Sequence, residues 1–310
     1  MCKVLVKTNA LTHEEWLRYR KQGIGGSDAG AICGLNPYVS PIEVYMNKTE
    51  DAIDDIDNEA MKQGRDLENY VAQRFMEATG LKVRRSNSMY VHKEYPFMLA
   101  NIDRMVVGEN IGLECKTASP YNINKWKDGE IPSHYLIQCY HYMAVTGADA
   151  WYIAVVIFGN EFKYVKIERD EEIIENLIKI EKEFWNNHVL SRILPEPDGS
   201  ESADKLINKY FNQVIADSKI QLQGFDDKLE RREELAKLID KLDTEKKKIE
   251  QELKLHMKEA EIAISDKYKV SWKNTIASRL DSTRLKTEMP DIYKKYCNPS
   301  NYRRLIISTV

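Results

Sequence analysis

The order of strand-like and helix-like segments in the first 170 residues constrains this chain more than any other feature. Three strand candidates follow one another: LKVRRSNSMYVH (81–92), FMLANIDRMVVG (97–108) and IGLECKTAS (111–119). The tight Gly108–Asn110 turn joins the last two as a hairpin does. A helix-like segment, IPSHYLIQCYHYMAVTG (131–147), comes next, then two more strands, AWYIAVVIFG (150–159) and EFKYVKIERD (161–170). Helical segments precede the set: His13–Arg20 with Thr12 as N-cap, PIEVYMNKT (41–49), and EAMKQGRDLENYVAQRFMEATG (59–80). The last of these lines Leu67, Val71 and Phe75 on one face and ends on Gly80, a natural C-cap. This order predicts a mixed α/β sheet with helical flanks.

The texture changes at LPEPDGSES (Leu194–Ser202), where two prolines, a glycine and three acids read as a linker. Two regions follow from it, 1–195 and 196–310. In the second, Phe225–Ala263 is dense in Glu, Lys and Leu and holds neither Gly nor Pro. Leu235, Leu238, Leu242, Ile249 and Leu253 recur at three- and four-residue steps, predicting one long amphipathic helix. Glu245 interrupts the stripe, which favours packing on its own domain or a short partner over a sustained coiled coil. KYKVSWKNT then alternates like a strand, LDSTRLKTEMPDIYKKY looks helical, and RRLIIS reads as a final strand, giving a helical/β C-terminal extension.

Composition narrows the function classes. With 43% hydrophobic residues the chain can bury a core, and no run nears the roughly 18 apolar residues of a membrane span. The opening residues lack a signal-peptide core, so a reducing compartment is expected. Five cysteines show no CxxC, and six histidines show no HExxH, which argues against a disulfide scaffold or a zinc site. A net charge of −3 leaves room only for a local basic groove.

The chemistry concentrates on the hairpin. Glu114 and Lys116 are two apart on one strand and share a face, and a turn at Glu109–Asn110 brings Asp103 opposite Glu114. Two carboxylates and an ammonium then meet beside an apolar ladder. With the backbone carbonyl of Cys115 and water, this donor set suits a hard divalent cation such as Mg2+, with Mn2+ as a substitute. Lys116 would position or deprotonate a water, with a lowered pKa next to a cation. The competing reading is a cross-strand ion pair of small energetic worth.

Asp103 followed by Glu114-Cys115-Lys116 matches the PD-(D/E)xK pattern, with Ile102 where proline is usual. RKQGIGGSDAGAICGLNPYVSPIEVYMNKT, GRDLE, the hairpin and IQCYHY, in that order, resemble the YqaJ-type viral recombinase nucleases, relatives of the phage lambda 5′→3′ exonuclease. The resemblance spans residues 13–170, with a weaker likeness in KYKVSWK and YRRLIIS. It implies a restriction-endonuclease-like core and a Mg2+-dependent 5′→3′ exonuclease that leaves 3′ single-stranded tails on duplex DNA. By resemblance, Asp103, Glu114, Cys115 (carbonyl) and Glu68 hold metal, Lys116 activates water, and Gln138 completes the pocket. Gln138 and Tyr142, four apart, share a helix face, and the resemblance implies that this helix borders the active site, with Tyr142 toward the DNA. The resemblance also implies that Arg20 and Ser27 bind a terminal 5′-phosphate, a role that guanidinium and a glycine-rich turn suit.

Glu68 has Gly64 four residues earlier, where a glycine permits close backbone approach. His134, Tyr135 and His141 are candidates for the same groove, and Trp16, Trp126, Lys82, Arg84, Arg85, Lys125 and Lys127 for a DNA channel. The resemblance further implies double-stranded DNA ends as substrate, a ring-shaped homotrimer, a single-strand annealing partner, and a phage or prophage protein in the bacterial cytoplasm. A sequence- or structure-specific endonuclease, or a silent DNA-binding module, are the alternatives.

Overall fold

The computed structural model describes residues 2–50, 58–298 and 302–308. The chain divides into two units, Met1–Phe211 and Asn212–Val310.

In the first unit, β1 (Lys3–Lys7) leads into α1 (His13–Lys21). The expected cap is present: the Glu15 amide donates to Thr12 Oγ1, and the Thr12 amide donates to the Glu15 carboxylate, satisfying two end groups reciprocally. α2 (Gly26–Ile32), α3 (Pro41–Thr49) and α4 (Glu59–Thr79) follow, and Gly80 ends α4 in the left-handed region at φ 74°. The glycine-rich turn is therefore already helix at Gly26. Ser27 sits inside the first turn of α2, and Gly25 is its N-cap.

The first two strand candidates each break in two. Residues 81–92 give β2 (Val83–Arg85) and β3 (Ser88–Val91), and residues 97–108 give β4 (Leu99–Asn101) and β5 (Arg104–Val106). The halves join different sheets. β3 and β4 pair with β1 in a three-stranded sheet, while β2 and β5 enter a five-stranded sheet with β6 (Ile111–Ala118), β7 (Ala150–Ile157) and β8 (Phe162–Glu168). Asp103 lies at the point where the chain passes between them, held by the Ser86 amide, which donates to its carbonyl at 3.1 Å.

The five-stranded order is β2-β5-β6-β7-β8, with β6 and β7 parallel and the other neighbours antiparallel. A parallel pair needs a crossover, and α5 (Ser133–Thr146) supplies it. The two faces of the sheet take different helices. Ile153 and Val155 of β7 pack with α5, whereas Leu113, Cys115 and Ala154 pack with Val71 and Phe75 of α4. A helix the sequence reading left unassigned, α6 (Glu171–Phe184), closes over α5 and continues as a π-helical turn, Trp185–Leu190.

The first unit runs past the expected boundary at 195. α7 (Glu201–Tyr210), capped by Ser200, buries Ala203 with Leu206 and Ile207 against Ile42 and Met46 of α3. The apolar face of α7, rather than the Pro-rich linker before it, decides where this unit ends.

The second unit holds α8 (Asp226–Met257), the long helix expected, a hairpin of β9 (Ile262–Ile264) and β10 (Lys269–Ser271), and two short helices, α9 (Ser282–Glu288) and α10 (Pro290–Tyr296). Residues 303–308 form no strand, so RRLIIS corrects the expectation of a final one.

Candidate active site

The β5–β6 register pairs Arg104 with Leu113, so the next pair outward sets Asp103 against Glu114 as the hairpin requires. Asp103 Oδ2 accepts the Cys115 amide at 2.8 Å. Glu114 is 3% exposed in the middle of the sheet, and its Oε1 lies 2.6 Å from Lys116 Nζ. Gln138, from α5, spans this pair: its Nε2 donates to Glu114 Oε1 at 2.7 Å, and its Oε1 accepts from Lys116 Nζ at 3.0 Å. The same amide nitrogen donates to the Tyr142 hydroxyl at 2.9 Å. The four side chains form one network on the α5 face of the sheet.

Burial, then the charges of Glu114 and Glu68, push the Asp103 carboxyl well above the usual range. Burial also raises the Tyr142 hydroxyl, with Glu114 and Asp103 adding to it. Burial opposes the charge on Lys116, but Glu114, Tyr135 and Asp103 outweigh it and raise its pKa. The ammonium is the counter-ion of these carboxylates. Its Nζ also stands 4.5 Å from the Tyr135 ring centroid.

Glu68 does not join the Asp103–Glu114 pair. α4 carries it from the opposite face of the sheet, and it is bound by Arg104 and approached by Arg85 at 3.6 Å. Among the described residues no three His, Cys, Asp or Glu side chains stand close enough to hold one metal ion. Gly64 is not the site of close approach either, since a Cβ there would find only Thr117 Oγ1 at 3.9 Å. Sequence reasoning missed Arg104. It is 4% exposed and also donates to the Asp103 carbonyl at 3.0 Å, and its place beside Asp103 was the only available signal.

The donor set can still be tested for fit. Glu114 Oε2 is buried without a hydrogen-bond partner, and Asp103 is crowded by two other carboxylates. An orphaned carboxylate oxygen beside an acid that resists ionisation is what a divalent cation would relieve. Asp103 and Glu114 fit a hard cation, while Glu68, whose charge reaches Asp103, is held by Arg104.

The phosphate candidates border the same space. Arg20 Nη2 donates to Ser27 Oγ at 2.9 Å, and its guanidinium lies 4.8 Å from the Trp16 ring centroid. Arg20 also stands 3.8 Å from Asp28, which is paired at 2.7 Å with the buried Lys48. Burial would raise the Asp28 pKa, but Lys48 and Arg20 overcome it and hold the carboxyl low. A cavity of about 190 Å3 is lined by Trp16, Arg20, Ser27, Asp103, Glu114, Gln138 and Tyr142. Two groups of residues far apart in sequence therefore face one space.

Of the other candidates, His134 lies against Tyr135 with the rings tilted and centroids 4.0 Å apart, and burial, then Lys116 and Lys125, lower its pKa to about 4. His141 is fully buried on Glu181 and the Leu99 carbonyl, away from any groove. Trp126, 4% exposed, is core rather than channel, and Arg85 turns to Glu68.

The close fit of α2 on α5 depends on one glycine. A Cβ at Gly26 would stand 2.5 Å from Tyr142 Cε1 and 3.0 Å from Gln138 Cγ. Gly26→Ala is expected to cost about 1–3 kcal/mol by overpacking and to displace Gln138 from Glu114. Chemical denaturation measures the first effect, and a crystal structure of the variant the second.

Residues 15–149 match the YqaJ-like viral recombinase domain. YqaJ of Bacillus subtilis strain 168 is 38% identical over 312 residues, covering 99% of this chain and 98% of that one. Among solved structures, the alkaline exonuclease LHK-Exo of Laribacter hongkongensis, in complex with dAMP, superposes with a TM-score of 0.50 at 22% identity. It covers 58% of this chain and 94% of its own. A phage-related exonuclease of Haemophilus somnus 129PT gives 0.42 at 14% identity, covering 57% and 99%. The mixed sheet between helical layers is the restriction-endonuclease-like fold, shared with LHK-Exo. A 38% identity sustained from end to end makes this chain a member of the YqaJ-like viral recombinase family.

Proposed function

We propose that the first unit is a Mg2+-dependent 5′→3′ exonuclease acting on double-stranded DNA ends and leaving 3′ single-stranded tails. The observation that carries this reading is the shared cavity, with the Asp103–Glu114–Lys116–Gln138 network on one wall and Arg20 with Ser27 on another. Asp103 and Glu114, with the Cys115 carbonyl, would hold the cation, Mg2+ or in its place Mn2+. Bound there, it supplies Lewis-acid polarisation of a phosphoryl oxygen.

The side chains do the rest. Lys116, fixed by Glu114 and Gln138, directs its ammonium at the scissile phosphate, where it positions the attacking water and meets developing negative charge. Gln138 holds that lysine in one rotamer, and Tyr142 fixes the amide in turn. Arg20 offers a planar fork and Ser27 a hydroxyl to a 5′-phosphate, which would compete with Asp28 for the guanidinium. Engagement of a terminal phosphate in the cavity that cleaves the chain favours an enzyme that begins at ends.

The test is digestion of linear and circular duplex with and without magnesium. Loss of linear DNA alone, only with metal, is the expected result. Cutting of both forms would identify an endonuclease, and survival of both a binding module. Arg20→Ala is expected to reduce the preference for 5′-phosphorylated over 5′-hydroxyl ends by about tenfold or more, since hydrogen bonds to charged groups contribute about 1.5–3 kcal/mol. The ratio of initial rates on the two substrates measures it.

Family resemblance extends the proposal to a ring-shaped homotrimer, a single-strand annealing partner and a bacterial cytoplasmic setting. Solution mass tests the ring. Among the described residues no helix is long and apolar enough to cross a membrane.

A further inference from the structure

Charge is distributed unevenly along the chain. From Ile262 to Val310 it carries ten Lys and Arg against four Asp and Glu, whereas the 261 residues before carry 36 against 45. The basic segment opens with KYKVSWK (267–273), in which lysines 267, 269 and 273 are interleaved with Tyr268 and Trp272.

The hairpin gives this motif a defined shape. β9 and β10 pair antiparallel with Lys269 opposite Ile264, and main-chain bonds extend the ladder beyond each end. The Ser265 amide donates to the Tyr268 carbonyl at 2.8 Å, and the Trp272 amide to the Glu261 carbonyl at 2.9 Å. Tyr268 and Trp272, four apart on extended chain, therefore share one face at a separation of roughly 13 Å. Both rings reach water: Tyr268 is 73% and Trp272 45% exposed, and all three lysines are exposed. Lys254 of α8 adds a further cation 6.0 Å from the Trp272 ring.

Aromatic rings used for packing bury most of their surface, whereas Tyr268 leaves most of its surface open and Trp272 close to half. Two exposed rings on one face of β10, with lysines at the alternate positions on the other, suit a ligand that runs along the strand edge and alternates flat apolar faces with negative charges. Unstacked bases on a phosphate backbone are that ligand. Duplex DNA hides its base faces and offers only the charge. We infer that the β9–β10 hairpin is a binding site for single-stranded DNA, with Tyr268 and Trp272 stacking on bases and Lys267, Lys269 and Lys273 contacting phosphates. This site belongs to the second unit and does not rest on the nuclease reading.

The experiment is fluorescence anisotropy of the full chain with labelled oligo(dT) 30-mer and with a blunt 30-bp duplex. EDTA is present throughout, so that cleavage plays no part. The double variant Tyr268→Ala/Trp272→Ala is expected to weaken oligo(dT) binding by at least about tenfold, with much less effect on duplex. The triple variant Lys267→Gln/Lys269→Gln/Lys273→Gln changes only exposed side chains and keeps the hairpin's main-chain bonds. It is expected to reduce the slope of log affinity against log salt by about 2, at about 0.7 per phosphate contact. Unchanged oligo(dT) affinity in the double variant, equal losses for oligo(dT) and duplex, or an unchanged salt slope in the triple variant would each overturn the inference. A failed digestion assay would leave these outcomes untouched.

Discussion

Lys116→Ala is expected to slow phosphodiester cleavage by about 10²–10⁴-fold while duplex binding at low salt stays within a few-fold of the parent protein. The lysine is the cation that bridges Glu114 and Gln138, 2.6 Å from Glu114 Oε1 and 3.0 Å from Gln138 Oε1. Removing it leaves both carboxylates and the cavity walls in place, so the loss should appear in the single-turnover rate and not in affinity. Arginine would restore the charge but not the reach, because a planar guanidinium does not fit between Glu114 and Gln138 as a compact ammonium does. Lys116→Arg should therefore recover little activity. Near-normal cleavage by the alanine variant would remove the lysine from the mechanism.

Glu181→Ala is expected to destabilise the first unit by about 3–5 kcal/mol. His141 and Glu181 are both fully buried, with His141 Nδ1 2.7 Å from Glu181 Oε1 and Nε2 2.8 Å from the Leu99 carbonyl. That carbonyl can only accept, so Nε2 carries a proton, and a second proton is shared between Nδ1 and the carboxylate. Burial works against a charged imidazole, but Glu181 and the Leu99 carbonyl outweigh it and raise the His141 pKa. Burial raises Glu181 as well, with His141 opposing it.

Both shifts have the same sign: the folded pair binds protons more tightly than the unfolded chain does. The His141 contribution is therefore fully present below its unfolded pKa near 6.5 and is lost as pH rises through the raised folded value. Glu181→Ala should abolish that dependence along with the stability. Urea denaturation followed by tryptophan fluorescence at pH 6 and pH 9 measures both, and four of the five tryptophans lie in the first unit.

What was legible in the sequence was local. The Asp103–Glu114 pairing followed from a short turn that fixes register. The shared face of Glu114 and Lys116 followed from strand alternation, and the Gln138–Tyr142 bond from helix spacing. The Thr12 capping box and the long helix α8 were readable for the same reason. Turn length and side-chain period act over a few residues, so neighbours in sequence settle them.

Tertiary structure alone decided the partners. Periodicity shows that Glu68 has a face but not that α4 lies across the sheet from α5, nor that Arg104 joins Glu68 to the Asp103 carbonyl. The division of residues 97–108 between two sheets, the Asp28–Lys48 pair, the His141–Glu181 pair and the attachment of α7 to α3 have the same origin. Each joins residues whose separation is set by how whole elements stack. Many elements offer an apolar face of similar size, and only the packed core selects which two of them meet.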